Sequence, residues 1–189
     1  MPSDRLVEIQ ANHTKLLHKG MVWDLVSETF PFGEEVLTRE FIQHTGAVAV
    51  LAVNESEEVL LLEQYRRPVR SYLLELPAGL MDEPGESELE CAKRELLEEA
   101  SLSASKWEKL LTFHTTPGGS SESISIFVAR EIQAAESNFQ PTGEEINMPK
   151  NWIPIGEAVE LVLTSQIKSP SAAVGIMAYA LRNGISGKL

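Results

Sequence analysis

A run of acidic residues at helical spacing constrains this chain more than any other feature. From Gly79 to Leu102 the sequence reads GLMDEPGESELECAKRELLEEASL. Ser87 and Glu90 form a Ser-x-x-Glu capping pattern, which predicts a helix starting at that point. Leu89, Ala92, Leu96, Leu97 and Ala100 recur at helical spacing and supply its buried face. Glu90, Arg94, Glu95, Glu98 and Glu99 are left on the other face. Glu95 and Glu99 stand four residues apart, so their Cβ atoms lie about 5–6 Å from one another. Like charges at that spacing destabilise a helix, and these lie toward the negative end of its dipole. A divalent cation held between them would reverse the sign of the interaction. A charge run is ordinarily a solvated face.

Composition narrows the classes. The chain of 189 residues is long enough for one domain with a small appendage. Its apolar fraction of 43% supports a sizeable core, yet no apolar run reaches the length of a membrane-spanning helix. The N-terminal MPSDRLVEIQ has no signal-peptide pattern, so no membrane association is expected. Cys91 is the single cysteine, which rules out an intrachain disulfide and suits a cytoplasmic location. A net charge of −12 argues against nonspecific nucleic-acid binding. A phosphorylated substrate remains compatible with it, because a bound cation and a few arginines set the local sign.

Strand signals run from Met21 to Thr29 and from Val36 to Gln43 around a turn at Pro31-Phe32-Gly33, which predicts an N-terminal hairpin. Ala47 to Val53 is a nearly continuous apolar run, as expected of a strand buried on both faces. Further strands are expected at Val59–Tyr65, Tyr72–Leu76, Lys106–Phe113, Ser123–Arg130 and Asn151–Ile155. Helices are expected at Gly156–Thr164 and Pro170–Asn183, the last with Ser169 as N-cap, Pro170 in its first turn and Gly184 just past its end. The expected class is α/β, a mixed β-sheet flanked by helices.

Gly79, the acidic turn, Glu86 and then Arg94-Glu95-Leu96-Leu97-Glu98-Glu99 resemble the Nudix box, the signature of Nudix hydrolases. Two departures stand out. Six residues separate Gly79 from Glu86, one more than the family pattern, and Ser101 replaces the last Gly. The insertion falls in a Pro-Gly turn that tolerates it, whereas Ser101 occupies a position where helices often need left-handed backbone. The resemblance implies the Nudix α/β/α sandwich with a mixed sheet and an N-terminal β-hairpin subdomain. Residues 1–43 would form a β-strand dimerisation segment and 44–189 the hydrolase domain.

Outside the box the resemblance narrows to the ADP-ribose pyrophosphatase branch. Similar segments are Leu37–Val50, Glu63-Gln64-Tyr65-Arg66-Arg67-Pro68 and Glu75-Leu76-Pro77-Ala78-Gly79. Pro117, fifteen residues after Leu102, stands where the family marks ADP-ribose specificity, and Gly118 and Gly119 follow it. By this resemblance Glu95, Glu98, Glu99 and the carbonyl of Ala78 are metal ligands. Arg94 orients carboxylates by pairing with Glu90 and Glu98, and Glu86 braces the loop. Arg66 contacts the diphosphate, and Arg39 with an aromatic such as Phe32 serves the adenosine end. The general base is a loop glutamate ahead of Trp152, Glu145, with Glu144 as its rival. The cofactor is Mg2+, with Mn2+ as the alternative.

The implied reaction is magnesium-dependent cleavage of ADP-ribose to AMP and ribose 5-phosphate. Two competing readings are a pyrophosphatase for another nucleoside diphosphate sugar, such as GDP-mannose, and a non-hydrolysing ADP-ribose sensor. The chain keeps Glu95, Glu98 and Glu99, which disfavours the sensor. The branch is also expected to form a homodimer that exchanges its N-terminal hairpin, since an isolated hairpin is marginal in water.

Overall fold

The computed structural model describes residues 1–140, 143, 146 and 148–187. Among these, ten β-strands and three α-helices form three sheets. The chain divides into two compact units, Met1–Thr45 with His114–Glu122, and Gly46–Phe113 with Ser123–Leu189.

The second unit is organised by β4 (Ala47–Ala52), whose side chains alternate between two cores. Ala49 and Leu51, with Val53 just beyond the strand, pack with Ile155, Ala158 and Val159 of α2 (Ile155–Leu163) and with Ala172, Ile176 and Tyr179 of α3 (Pro170–Arg182). Val48, Val50 and Ala52 pack with Cys91, Ala92, Leu96 and Ala100 of α1 (Glu88–Ala100). One strand with helices on both faces is the middle layer of an α/β/α sandwich, which explains its uninterrupted apolar sequence.

β4 pairs antiparallel with β7 (Ala78–Leu80) and parallel with β9 (Ser123–Ala134), and β8 (Leu102–His114) lies beyond β9. This is the mixed sheet. An antiparallel sheet has β5 (Glu58–Arg66) between β6 (Ser71–Glu75) and β10 (Lys150–Pro154). β7 has only three residues, one of them Gly79, and no alternation reveals it in the sequence.

The first unit carries an antiparallel sheet in the order β1 (His13–Lys19), β2 (Asp24–Phe32), β3 (Glu35–Gln43). The expected hairpin is therefore one strand short. β1 reads HTKLLHK, with two adjacent leucines and no period-two pattern, and a register shift between Leu16 and His18 accompanies it. Among the described residues of this sheet only Val26 is buried. Leu16, Val22, Trp23, Phe32 and Val36 are exposed. The segment His114–Glu122 is tied to β3 of the same unit. Ile42 N–H donates to Gly119 O at 3.0 Å, Ser121 N–H donates to Ile42 O at 3.0 Å, and His44 Nε2 lies 3.3 Å from Glu122 Oε1.

α1 starts at the predicted capping box. Glu90 N–H donates to Ser87 Oγ at 3.3 Å, and Ser87 N–H donates to Glu90 Oε2 at 2.9 Å. It ends at Ser101, which adopts φ 56° and ψ 43°, the left-handed conformation for which the box pattern has glycine. No basic residue lies in the last turn of α1. Instead Lys150 Nζ, from β10, donates to Ala100 O at 2.7 Å and meets the helix's negative end.

A serine in left-handed backbone carries a strain of about 1–2 kcal/mol that glycine escapes, partly offset by glycine's larger entropy loss on folding. Ser101→Gly should therefore raise unfolding free energy by about 0.5–1 kcal/mol, measured by urea denaturation, with no change in the far-ultraviolet circular dichroism of the native protein.

Candidate active site

The site grows from the exposed edge of α1. Arg94 is at its centre. Its Nε and Nη2 donate to the two oxygens of Glu86, each at 3.0 Å, and its Nη1 donates to Glu95 Oε1 at 2.5 Å and Glu98 Oε2 at 3.1 Å. The expected Arg94–Glu90 pair does not form. Glu90 is engaged by the capping box, and the more distant Glu86 offers both oxygens to the planar guanidinium. Arg94 hydrogen bonding holds the Glu86 carboxyl below the usual carboxylate range. A depressed carboxyl contributes stability above its unfolded value, near 4.5. That contribution is lost as pH falls through the lowered folded value, so the brace is intact at neutral pH.

Glu95, while still paired with Arg94, and Glu99 also meet the bend that begins β7. Glu95 is buried, and its carboxylate occupies the space beside Gly79: a Cβ there would stand 2.0 Å from Glu95 Oε1 and 2.1 Å from Cδ. Glu99 Oε2 accepts a 2.9 Å hydrogen bond from Ala78 N–H. Val50 N–H donates to Pro77 O at 2.8 Å, and Ala78 sits opposite Ala49. Ala78 is thus in a non-hydrogen-bonded pair, and both its N–H and its C=O face away from β4. The bend consequently presents a carbonyl, a bare α-carbon and two carboxylates together.

The carbonyl and the carboxylates offer hard oxygen atoms, the kind of ligand a magnesium-like cation takes. Among the described residues no three His, Cys, Asp or Glu side chains converge as a ready-made cation site. Glu98 is turned to Arg94, and Glu95 and Glu99 are engaged by protein partners. Cys91, next to Arg94, is no nucleophile: burial pushes its thiol up to about 12.

Arg66, at the end of β5, is bound by the buried carboxylate of Glu75 on β6, with Nη2 to Oε2 at 2.7 Å. Sequence reasoning assigned Glu75 no role, although an acid inside the apolar strand Tyr72-Leu73-Leu74-Glu75-Leu76 was a signal. Arg39, Phe32, Pro117, Gly118 and Gly119 belong to the first unit. Arg39 and Phe32 are exposed on their sheet, with Arg39 Nη1 donating to Thr38 O at 2.8 Å. Pro117 is exposed, and a Cβ at Gly118 or Gly119 would meet no protein atom. Glu144 and Glu145 lie outside the described residues. Ahead of β10, Pro149 O accepts from Glu63 N–H at 3.0 Å.

Comparison with known proteins places this geometry in context. The NUDIX domain family matches residues 43–173. An ADP-ribose pyrophosphatase of Mycobacterium tuberculosis is 36% identical over 178 residues, spanning 92% of this chain and 84% of that protein. Another, of Bacillus subtilis, is 30% identical over 174 residues, spanning 91% and 92%. A crystal structure described as an ADP compounds hydrolase superposes with a TM-score of 0.72, covering 96% of this chain and 98% of that one. At 22% identity that likeness speaks for the fold.

Gly79→Ala tests the bend. The added methyl should force the Glu95 carboxylate out of its place and lower hydrolytic turnover by about 10-fold or more, the effect of a misplacement near 1 Å. Thermal unfolding should show an intact fold, since the displaced atoms end a flexible side chain. Wild-type turnover in a folded Gly79→Ala protein would contradict the placement.

Proposed function

The chain belongs to the Nudix family, and we propose that it hydrolyses the diphosphate of ADP-ribose to AMP and ribose 5-phosphate, with Mg2+ as the preferred cation. The observation that carries this reading is the meeting of Glu95 and Glu99 with the Ala78–Gly79 bend. The ADP-ribose pyrophosphatases similar over nine-tenths of the chain support the choice of substrate.

Glu95 and Glu99, with Glu98 and the Ala78 carbonyl, would hold the cation, which supplies positive charge opposite the diphosphate oxygens. The chain's own residues account for the rest. Glu145 takes a proton from the attacking water as its oxygen bonds to phosphorus and the bridging P–O bond breaks. Arg66 matches two diphosphate oxygens with its planar fork. In the Pro117-Gly118-Gly119 turn the two glycines carry no side chain and would let backbone approach the ligand.

We assign the first unit to a homodimer interface. Its sheet has almost no core of its own and exposes Leu16, Phe32 and Val36, and a small sheet without a covered face is not stable alone. In this arrangement residues 1–43 serve the partner's hydrolase domain, 44–189, and Arg39 with Phe32 contacts the adenosine end there. A single cysteine needs no oxidising compartment, and the cytoplasm is the location we assign. Among the described residues no helix is long and apolar enough to cross a membrane.

A panel of ADP-ribose, GDP-mannose and a nucleoside triphosphate, with and without Mg2+, tests the reaction. The expected result is metal-dependent release of AMP and ribose 5-phosphate with ADP-ribose preferred. Faster cleavage of GDP-mannose would shift the assignment to that sugar, and tight ADP-ribose binding without product would make the protein a sensor. Glu99→Gln and Glu95→Gln should each abolish measurable turnover in a folded protein. Glu145→Gln should lower it by about 10²–10⁴-fold, and a large loss in Glu144→Gln instead would move the base by one residue.

Subunit mixing tests the interface. An Arg39→Ala protein and a Glu99→Gln protein, each impaired alone, should recover activity when recombined, because one site of the mixed dimer is then intact. A fully active monomer by light scattering would overturn the dimer.

A further inference from the structure

Arg66 and Glu75 are joined in a way that strand geometry alone does not supply. In the β5–β6 ladder Leu62 stands opposite Glu75 and Arg66 opposite Ser71. Opposite residues share a face of the sheet, and Leu62 packs in the α1 core with Leu60, Cys91 and Leu96. Glu75 therefore lies on the α1 face, and the period of two puts Arg66 there as well. Their levels differ by four residues, about 13 Å along the strand at about 3.3 Å per residue. Three hydrogen bonds span that offset: Nε to Oε1 at 3.1 Å, Nε to Oε2 at 3.3 Å and Nη2 to Oε2 at 2.7 Å.

The Arg66 side chain thus runs back along β5 instead of extending past the hairpin tip. The Glu75 side chain is 10% exposed and that of Arg66 45%. A carboxylate buried to that degree is costly unless paired, and its neighbours Leu74 and Leu76 offer it nothing. Glu75 also lies three residues before Ala78, whose N–H holds Glu99. The carboxylate draws the guanidinium toward the end of β6 that leads into the box contact.

We propose that Glu75 is a positioning residue, which fixes the Arg66 guanidinium on the α1 face so that it meets the substrate diphosphate already oriented. The inference rests on the functional reading above. A guanidinium has five N–H donors in one plane, and the grip of Glu75 on the Nε–Nη2 edge sets that plane. An arginine ordered before binding loses less side-chain entropy when the anion arrives. The effect belongs to substrate binding and not to the chemical step.

The test measures kcat and KM for ADP-ribose in wild type, Glu75→Gln, Arg66→Leu and the double variant, with a thermal melt of each. Glu75→Gln keeps the shape and removes the charge. It should raise KM by about 10–100-fold, the range of a charge-assisted hydrogen bond, with kcat within about threefold of wild type. In the Arg66→Leu background the same change should have no further effect on KM, as coupling through one partner requires. A KM unchanged in Glu75→Gln, or raised equally in both backgrounds, overturns the proposal. Should Glu75→Gln fail to fold, Arg66→Leu/Glu75→Leu leaves neither charge buried alone. Its KM should then equal that of Arg66→Leu, and a further rise overturns the proposal. A wild type that cleaves no diphosphate sinks the functional reading and this inference with it. An active wild type with an indifferent Glu75→Gln sinks this inference alone.

Discussion

Arg94 is what allows acidic residues to crowd the exposed edge of α1. Two carboxylates about 5 Å apart repel by about 3 kcal/mol at an effective dielectric constant near 20. The helix sets Glu95 at three- and four-residue spacing from Glu98 and Glu99 and gives its last turn no basic residue of its own. One guanidinium answers three carboxylates, those of Glu86, Glu95 and Glu98. The fork on Glu86 anchors the loop that precedes the helix, so the charge pairing also fixes the chain's path between β7 and α1. One positive charge against three negative ones, with Glu99 beside them, leaves the edge strongly anionic. Such a surface attracts cations, and that requirement suits a family that works on polyanions.

The helix edge would be of little use without the bend it faces. Pro77 ends the apolar strand, Ala78 turns its backbone groups outward, and Gly79 leaves the room that Glu95 occupies. Each step depends on the middle strand β4. Its ladder with β7 sets which backbone groups of the bend are already paired, and its two faces bury α1 on one side and α2 and α3 on the other. Burying a Leu such as Leu96 contributes roughly 1.5–3 kcal/mol. The core thereby holds α1 at a fixed distance from β7 while the carboxylates repel.

What could be read from the chain beforehand follows the range of the interaction. The start of α1, its buried positions Ala92, Leu96 and Ala100 and the apolar middle strand were legible because capping and periodicity are local. Leu97, expected in the buried face, is only partly covered, and Glu95, expected on the outer face, is buried. The left-handed turn at Ser101 was legible from the absent glycine alone. β1 and β7 were not, since one lacks alternation and the other is three residues long, and each is specified by a partner strand elsewhere. The pairing of Arg94 with Glu86 in place of Glu90 depended on competition from the capping serine. The Arg66–Glu75 bond required the register of β5 on β6, which no spacing within either strand reveals. Residues brought together by a ladder are the ones sequence reasoning loses first.

The two arginines on the α1 face show how the same fork serves different ends. Arg94 is shared among three carboxylates and its side chain is 28% exposed. It is held on several sides, and moving it would break its pairing with Glu86, Glu95 and Glu98 at once. Arg66 is gripped along its Nε–Nη2 edge by the Glu75 carboxylate, and its side chain is 45% exposed. A guanidinium that must receive an anion from solvent needs that exposure, and one that must not drift needs a buried partner. In the proposed role Glu75 meets the second requirement without removing the first, because its hydrogen bonds fall on the Nε–Nη2 edge. An aspartate at position 75 would fall about one methylene short, and a lysine at position 66 would offer a point charge with no plane to fix. The chemistry of the pair therefore selects Glu and Arg together.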